Sequence, residues 1–166
     1  VKAKNDVTLL STNAAVSVND AVTSQAGSVS ATAENGLVVI GSVQADKNIK
    51  LANDAGGITV SSQVTSSTGD ISMTAEEGMV EINDTVQATH GNVTVHVDKG
   101  RTSTDINGDP IIINGNPVFD AIGVHGNIQA GQAVSLTAGE GSIGIGVNGT
   151  SGQGTIDAVG NIIISS

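Results

Sequence analysis

Apolar residues in this chain recur in a short pattern, in which a turn residue is followed by alternating apolar and polar positions. One example is Gly69-Asp70-Ile71-Ser72-Met73, where Ile71 and Met73 share one face of an extended segment. The first apolar residues of five such segments are separated by 22, 20, 22 and 22 residues: Val7, Val29, Ile49, Ile71 and Val93. A pattern that returns at such regular spacing predicts a repeat architecture.

Each repeat contains two further segments with period 2, which predict short β-strands. The second segments carry the pairs Val16/Val18, Val38/Ile40, Ile58/Val60, Val80/Ile82, Ile122/Val124 and Ile143/Ile145. The third segments are Val22-Thr23-Ser24, Val43-Gln44-Ala45, Val64-Thr65-Ser66, Val86-Gln87-Ala88, Ile128-Gln129-Ala130 and Ile156-Asp157-Ala158. The first segment also recurs at Val134 and Ile162.

These repeats predict an all-β fold, a single-stranded parallel β-helix with about 22 residues and three short strands per coil. One repeat is too small to bury its apolar face, whereas stacked repeats share a continuous core. Six coils and the start of a seventh would form a rod roughly 30 Å long at about 4.8 Å per coil. A β-sandwich would also have short strands, but it would not require like residues to recur in phase.

Composition and charge narrow the classes of function. The chain has 22 Gly, one Phe, and no Trp, Tyr or Cys, which suits a narrow aliphatic core and excludes disulfides and thiol chemistry. Its net charge of −10 argues against nucleic acid and anionic membranes as partners. No run of 18 apolar residues is present, so insertion into a membrane as a helix is not predicted.

The chain begins and ends within the repeat pattern, at Asn5-Asp6-Val7 and Gly160-Asn161-Ile162. We therefore expect residues 1–166 to be a single β-helix segment of a longer protein. Open parallel strands at the ends of such a segment favour end-to-end or lateral self-association.

The repeats resemble those of filamentous-haemagglutinin-like large exoproteins. The segments that carry the resemblance are Gly69-Asp70-Ile71-Ser72-Met73-Thr74-Ala75, Gly126-Asn127-Ile128-Gln129-Ala130 and Ala133-Val134-Ser135-Leu136-Thr137-Ala138-Gly139. The resemblance implies a right-handed β-helix that serves as the shaft of an adhesin, exported by two-partner secretion or as an autotransporter passenger. It also implies an extracellular or bacterial outer-surface location, and a receptor or glycan on a host or neighbouring cell as the partner.

Two repeats are longer than the others, with predicted loop insertions at about 98–120 and 146–154. The first contains both prolines, the only Phe and the run Ile111-Ile112-Ile113 between two turn signals, which predicts a hairpin with Ile111 or Ile113 packed on the coil. One interpretation is a loop that only covers the sheet. The other is a site of partner contact, with Arg101 and Phe119 as the contact residues.

Within this insertion, Asp105, Asn107 and Asp109 place oxygen-bearing side chains at alternate positions, as in loops that bind Ca²⁺. Pro110 stands where a loop of the EF-hand kind requires Gly, and no Glu follows at the ligand distance. Two hypotheses remain, a Ca²⁺ site that stiffens the loop and turn chemistry alone. No other cofactor is indicated.

A carbohydrate-active or carbohydrate-binding β-helix is an alternative function, and an ice-binding solenoid is a third. An enzyme of this shape needs acidic groups that converge on one outer face. The predicted outward residues of the second strands are Ser17, Val39, Thr59, Glu81, Gly123 and Gly144, and those of the third are Thr23, Gln44, Thr65, Gln87, Gln129 and Asp157. Neither column stacks carboxylates, so we predict that the chain is not an enzyme. The Ser/Thr column of the first strands, which favours ice binding, is interrupted by Leu10, Lys50 and Ala52.

Overall fold

A computed structural model describes residues 1–39, 41–146 and 154–166 of the chain. These residues form an all-β structure without helices. Accordingly, the described part of the chain contains no helix with the length and apolar character that a membrane span requires.

The described residues form 21 strands. In chain order they are β1 (Lys2–Ala3), β2 (Val7–Ser11), β3 (Val16–Val18), β4 (Val22–Ser24), β5 (Val29–Val39), β6 (Val43–Ala45), β7 (Ile49–Val60), β8 (Val64–Ser66), β9 (Ile71–Glu77), β10 (Val80–Ile82), β11 (Val86–Ala88), β12 (Val93–Lys99), β13 (Arg101–Thr102), β14 (Ile112–Ile113), β15 (Asn116–Pro117), β16 (Phe119–Val124), β17 (Asn127–Ala130), β18 (Val134–Glu140), β19 (Ser142–Ile145), β20 (Thr155–Ala158) and β21 (Ile162–Ser165).

Equivalent strands of successive repeats pair in parallel and form three rows. The first row contains β2, the start of β5, the start of β7, β9, β12, β18 and β21. The second row contains β3, the ends of β5 and β7, β10, β16 and β19. The third row contains β1, β4, β6, β8, β11, β17 and β20. The first two rows belong to one curled sheet, whereas the third row is a separate sheet.

The predicted register of the first row is confirmed. Val7 pairs with Val29, Val29 with Ile49, Ile49 with Ile71, and Ile71 with Val93. All five side chains are buried and belong to one aliphatic core. The predicted third row is confirmed as well, and β1 extends it by one strand that the repeat alignment missed.

One part of the predicted second row is wrong. Leu37 and Val39 lie in register with Ile58 and Val60, although Val38 was predicted to be the first residue of this pair. Ile40, the second predicted residue, lies outside the described residues. Val38 is therefore the residue paired with Thr59. The alignment of the repeats within this chain predicted Val39 at that position. Because a one-residue shift exchanges the two faces of a strand, the pairing with neighbouring strands decides this register.

The turn residues that precede the first row explain the Gly-Asp/Asn motif of the repeat. The side-chain oxygen of Asn48 accepts a hydrogen bond from the backbone N–H of Asp70 at 2.9 Å, and Asp70 Oδ1 accepts one from the N–H of Asn92 at 2.7 Å. Asn92 Oδ1 in turn accepts a bond from the N–H of Ala133 at 3.1 Å. Each side chain thus pairs a backbone donor of the next repeat, which would otherwise lack a partner at the turn.

A buried amide holds the corner between the first and second rows. Asn53 is 2% exposed, and its Oδ1 accepts a hydrogen bond from the N–H of Gly57 at 2.8 Å. Its Nδ2 donates to the carbonyls of Ala55 at 2.7 Å and Ala33 at 3.2 Å. Gly57 has a φ of +81°, and an added Cβ would collide with the carbonyl oxygen of Met79, so this corner requires glycine.

Candidate functional site

The insertion between β12 and β16 projects from the sheet as an arm, defined here as residues 103–118. Ile112–Ile113 and Asn116–Pro117 pair as an antiparallel hairpin. Asn114 and Gly115, between them, have φ angles of 52° and 83°, which match the turn that an Asn-Gly pair forms in tight hairpins. The predicted hairpin is therefore confirmed.

The predicted packing of Ile111 or Ile113 against the coil is wrong. Ile111 is 37% exposed and Ile113 is 59% exposed, and Ile106 at the neighbouring turn is 99% exposed. Among the described strands, the two hairpin strands pair only with each other. The arm instead presents several isoleucines to solvent.

A polar clamp at the base of the arm fixes where it leaves the sheet. Arg101 and Thr102 pair antiparallel with Asp120 and Phe119. The Asp120 carboxylate accepts hydrogen bonds from the Ser103 hydroxyl at 2.7 Å and the Ser142 hydroxyl at 2.9 Å. Asp120 therefore ties the start of the arm to the next repeat.

The two residues predicted to contact a partner lie on opposite sides of this base. The Phe119 ring is half-buried, whereas Arg101 is exposed and directs a guanidinium N–H toward the Met79 sulfur at 3.7 Å. Within the described residues, no carboxylate lies within 4.0 Å of the Arg101 guanidinium. Arg101 thus remains available to a ligand, while Phe119 contributes to the base of the arm.

The proposed calcium ligands lie together in one turn of the arm. Asp105 Oδ1 accepts hydrogen bonds from the backbone N–H groups of Asn107 at 2.8 Å and Asp109 at 3.0 Å. The N–H groups of Asp109 and Asn107 hold the pKa of Asp105 below its ordinary value of 3.8. These hydrogen bonds are the ones that a turn without bound metal would form. Calcium binding stays a prediction.

A concave surface lies beside the base of the arm, on the outer face of the second row. Its volume is about 370 Å³, and its lining includes Met79, Glu81, Arg101, Gly123, His125 and Ser142. We call it the arm-base cleft. Glu81 and Gly123 are neighbours in the second row, and the next outward residue in that row is Gly144. In two adjacent repeats, the second row therefore contributes no outward side chain at this position.

Polar side chains line the arm-base cleft beside these glycines. A carboxylate oxygen of Glu81 lies 4.0 Å from His125 Nε2, and both side chains are about a third exposed. Arg101 and Asp120 also line the cleft. The cleft thus presents hydrogen-bond donors and acceptors within reach of one small ligand.

Sequence reasoning missed the arm-base cleft, although part of its signal was present. Gly123 and Gly144 follow Glu81 in the predicted outward column, and two consecutive glycines in a stacked row predict a depression. The contributions of Met79, Arg101 and Ser142 depend on the path of the arm, and no repeat pattern indicates them.

Two further histidines lie outside the arm-base cleft. His90 Nδ1 lies 2.7 Å from the Ser67 carbonyl oxygen, and His96 Nε2 lies 2.7 Å from Asp98 Oδ1. Among the described residues, no group of three or more His, Cys, Asp or Glu side chains is placed to hold a metal ion. The second predicted insertion, at 146–154, lies outside the described residues except at its two ends.

Comparison of the chain with family models, curated proteins and solved structures yields no significant match.

Proposed function

We propose that this chain is a right-handed parallel β-helix of six to seven coils and forms part of the shaft of a bacterial surface adhesin. The observation that carries the proposal is the in-register aliphatic column from Val7 to Val93, which Val134 continues. The right hand follows from the strong preference of parallel strand crossovers for that hand. The resemblance of the repeats to filamentous-haemagglutinin-like exoproteins supports the assignment to a surface fibre.

The role that we propose is mechanical and non-enzymatic. Parallel pairing between repeats satisfies backbone groups along the rows, so that a stiff spacer can hold the arm away from the rest of the molecule. The exposed isoleucines of the arm and Arg101 at its base provide contacts for a receptor or glycan. An extracellular or outer-surface location, reached by two-partner or autotransporter export, is part of this proposal.

Limited proteolysis with proteinase K tests the shaft. We expect the segment from Val7 to Lys99 to stay intact while the protease cuts within residues 104–117, because the arm lacks pairing with neighbouring repeats. Early cleavage between Val7 and Lys99 would contradict a stiff shaft.

Adhesion is tested with beads coated with the whole chain and offered to cultured epithelial cells and bacteria. A matched chain carries a short Gly-Ser linker in place of residues 104–117, which leaves Ser103, Phe119 and Asp120 in place. We expect the intact chain to retain more cells than albumin-coated beads, and the armless chain to lose most of that gain. Equal retention by all three beads would refute the adhesive role.

A further inference from the structure

Glycine at position 123 leaves room for the Met79 side chain in the arm-base cleft. A Cβ built at this position would lie 2.6 Å from Met79 Cε and 3.3 Å from His125 Nε2. The preceding repeats carry Thr59 and Glu81 at the equivalent position. Any side chain at position 123 would therefore displace Met79 or fill the space in front of it.

The walls of the cleft carry planar polar groups with complementary hydrogen-bonding capacity. The Arg101 guanidinium supplies N–H donors, and its described contact is a weak one to the Met79 sulfur at 3.7 Å. The Glu81 carboxylate supplies acceptors, and the His125 ring lies 4.0 Å from it. The Met79 methyl group provides an apolar surface between these groups.

We propose that the arm-base cleft binds a neutral saccharide. A sugar hydroxyl both donates and accepts hydrogen bonds, so adjacent hydroxyls fit a carboxylate on one side and a guanidinium on the other. The C–H face of a pyranose ring is apolar and suits the Met79 methyl group. The volume of about 370 Å³ lies within the range of small-molecule sites, roughly 300–1,000 Å³.

The charges of the cleft favour a neutral saccharide over an anionic one. The chain carries a net charge of −10, and Glu81 and Asp120 both line the cleft, so an anionic sugar would be repelled. Both Asp120 oxygens already accept hydrogen bonds from serine hydroxyls, so Asp120 shapes the cleft while Glu81 and Arg101 contact the ligand.

The test is an NMR titration of the ¹⁵N-labelled chain with methyl glycosides of glucose, galactose, mannose and N-acetylglucosamine, and with methyl glucuronide as the anionic comparison. We expect at least one neutral glycoside to cause saturable shifts at the amides of Glu81, Gly123 and Ser142. The glucuronide should bind more weakly than its neutral counterpart.

Three variants locate the binding site, and a fourth is the control. Glu81→Gln and Arg101→Ala should each weaken binding at least tenfold, and Gly123→Val should abolish it. Glu76→Gln, the same chemical change at an exposed residue of β9 outside the cleft, should bind as the parent does. The spectrum of each variant shows directly whether it is folded, and Glu81→Gln changes no side-chain volume.

Absence of saturable binding by every neutral glycoside would overturn the inference. So would binding that survives both Glu81→Gln and Arg101→Ala, shifts confined to residues 104–117, or tighter binding of the glucuronide. The inference does not rest on the shaft proposal. Proteinase K resistance tests the shaft and bead retention tests adhesion by the arm, whereas Glu81→Gln and Gly123→Val leave both the arm and Arg101 unchanged. Failure of one proposal is therefore distinguishable from failure of the other.

Discussion

Truncation of Ile71 to alanine should destabilise the chain by roughly 3–4 kcal/mol. Ile71 is 0% exposed and pairs with Ile49 on one side and Val93 on the other. The change removes the equivalent of three methylene groups, which contribute about 0.8 kcal/mol each, or about 2.4 kcal/mol together. The rest of the loss comes from the cavity that remains.

The cavity is expected to persist because the backbone around it is fixed. The N–H of Ile71 donates to the Asn92 carbonyl at 2.9 Å, and the N–H of Ile49 donates to the Asp70 carbonyl at 2.9 Å. These bonds hold the neighbouring strands at their spacing, so the site cannot collapse around the smaller side chain.

Ile106→Ala is the matched control, because it removes the same atoms from a side chain that is 99% exposed. Its effect should stay within about 0.5 kcal/mol. Urea unfolding followed by far-UV circular dichroism measures both, since the chain has no Trp or Tyr for fluorescence. With a slope of about 2 kcal/mol/M, Ile71→Ala should lower the midpoint by at least about 1.5 M. Equal midpoints for the two variants would refute the inward placement of Ile71.

Three further predictions concern the corners and the arm. Gly57→Ala should lower the melting temperature more than Gly108→Ala, because both glycines have positive φ but only position 57 lacks space for a Cβ; equal effects would contradict the tight corner. Asn53→Ala should cost about 1–3 kcal/mol in urea unfolding, because it leaves the buried N–H of Gly57 unpaired. Ordinary surface changes stay within about ±0.5 kcal/mol, so a loss below about 0.5 kcal/mol would show that another acceptor replaces the Asn53 side chain. The pKa of Asp105 is depressed, so its turn is stabilised at pH values above the ordinary pKa of 3.8 and loosens as pH falls through the lower pKa of the folded state. An NMR titration of the Asn107 and Asp109 amides should therefore show a midpoint below 3.8. A midpoint at or above 3.8 would contradict the turn contacts.

Much of the fold was predictable because most repeats share three signals. These are a turn residue, alternating apolar and polar positions, and a nearly constant spacing between equivalent residues of successive repeats. At Ile71 and Val93 the apolar residues alternate with polar ones, so the sequence defines which side of the strand faces the core. The run Leu37-Val38-Val39-Ile40 lacks that alternation. Its register depends on pairing with the neighbouring repeats, and for this reason the sequence alignment was wrong by one residue there.

The arm and the cleft were less predictable because they lie outside the repeat. The Asn114-Gly115 turn identified the hairpin correctly, since that pair favours a specific tight turn. Hydrophobicity then suggested that Ile111 or Ile113 is buried against the coil. The direction in which a hairpin leaves a sheet depends on the contacts at its base, however, and not on its own composition. The clamp of Asp120 on Ser103 and Ser142 supplies that attachment, and it joins residues from separate repeats that no local pattern connects.

A crystal structure of the chain is the most direct test of the central claim, that successive repeats stack in parallel as one β-helical shaft. The account predicts that Val7, Val29, Ile49, Ile71 and Val93 form a single inward column, with each repeat paired in parallel to the next and the chain rising in a right-handed sense. Antiparallel pairing between successive repeats, or a column interrupted by outward-facing members, would contradict it.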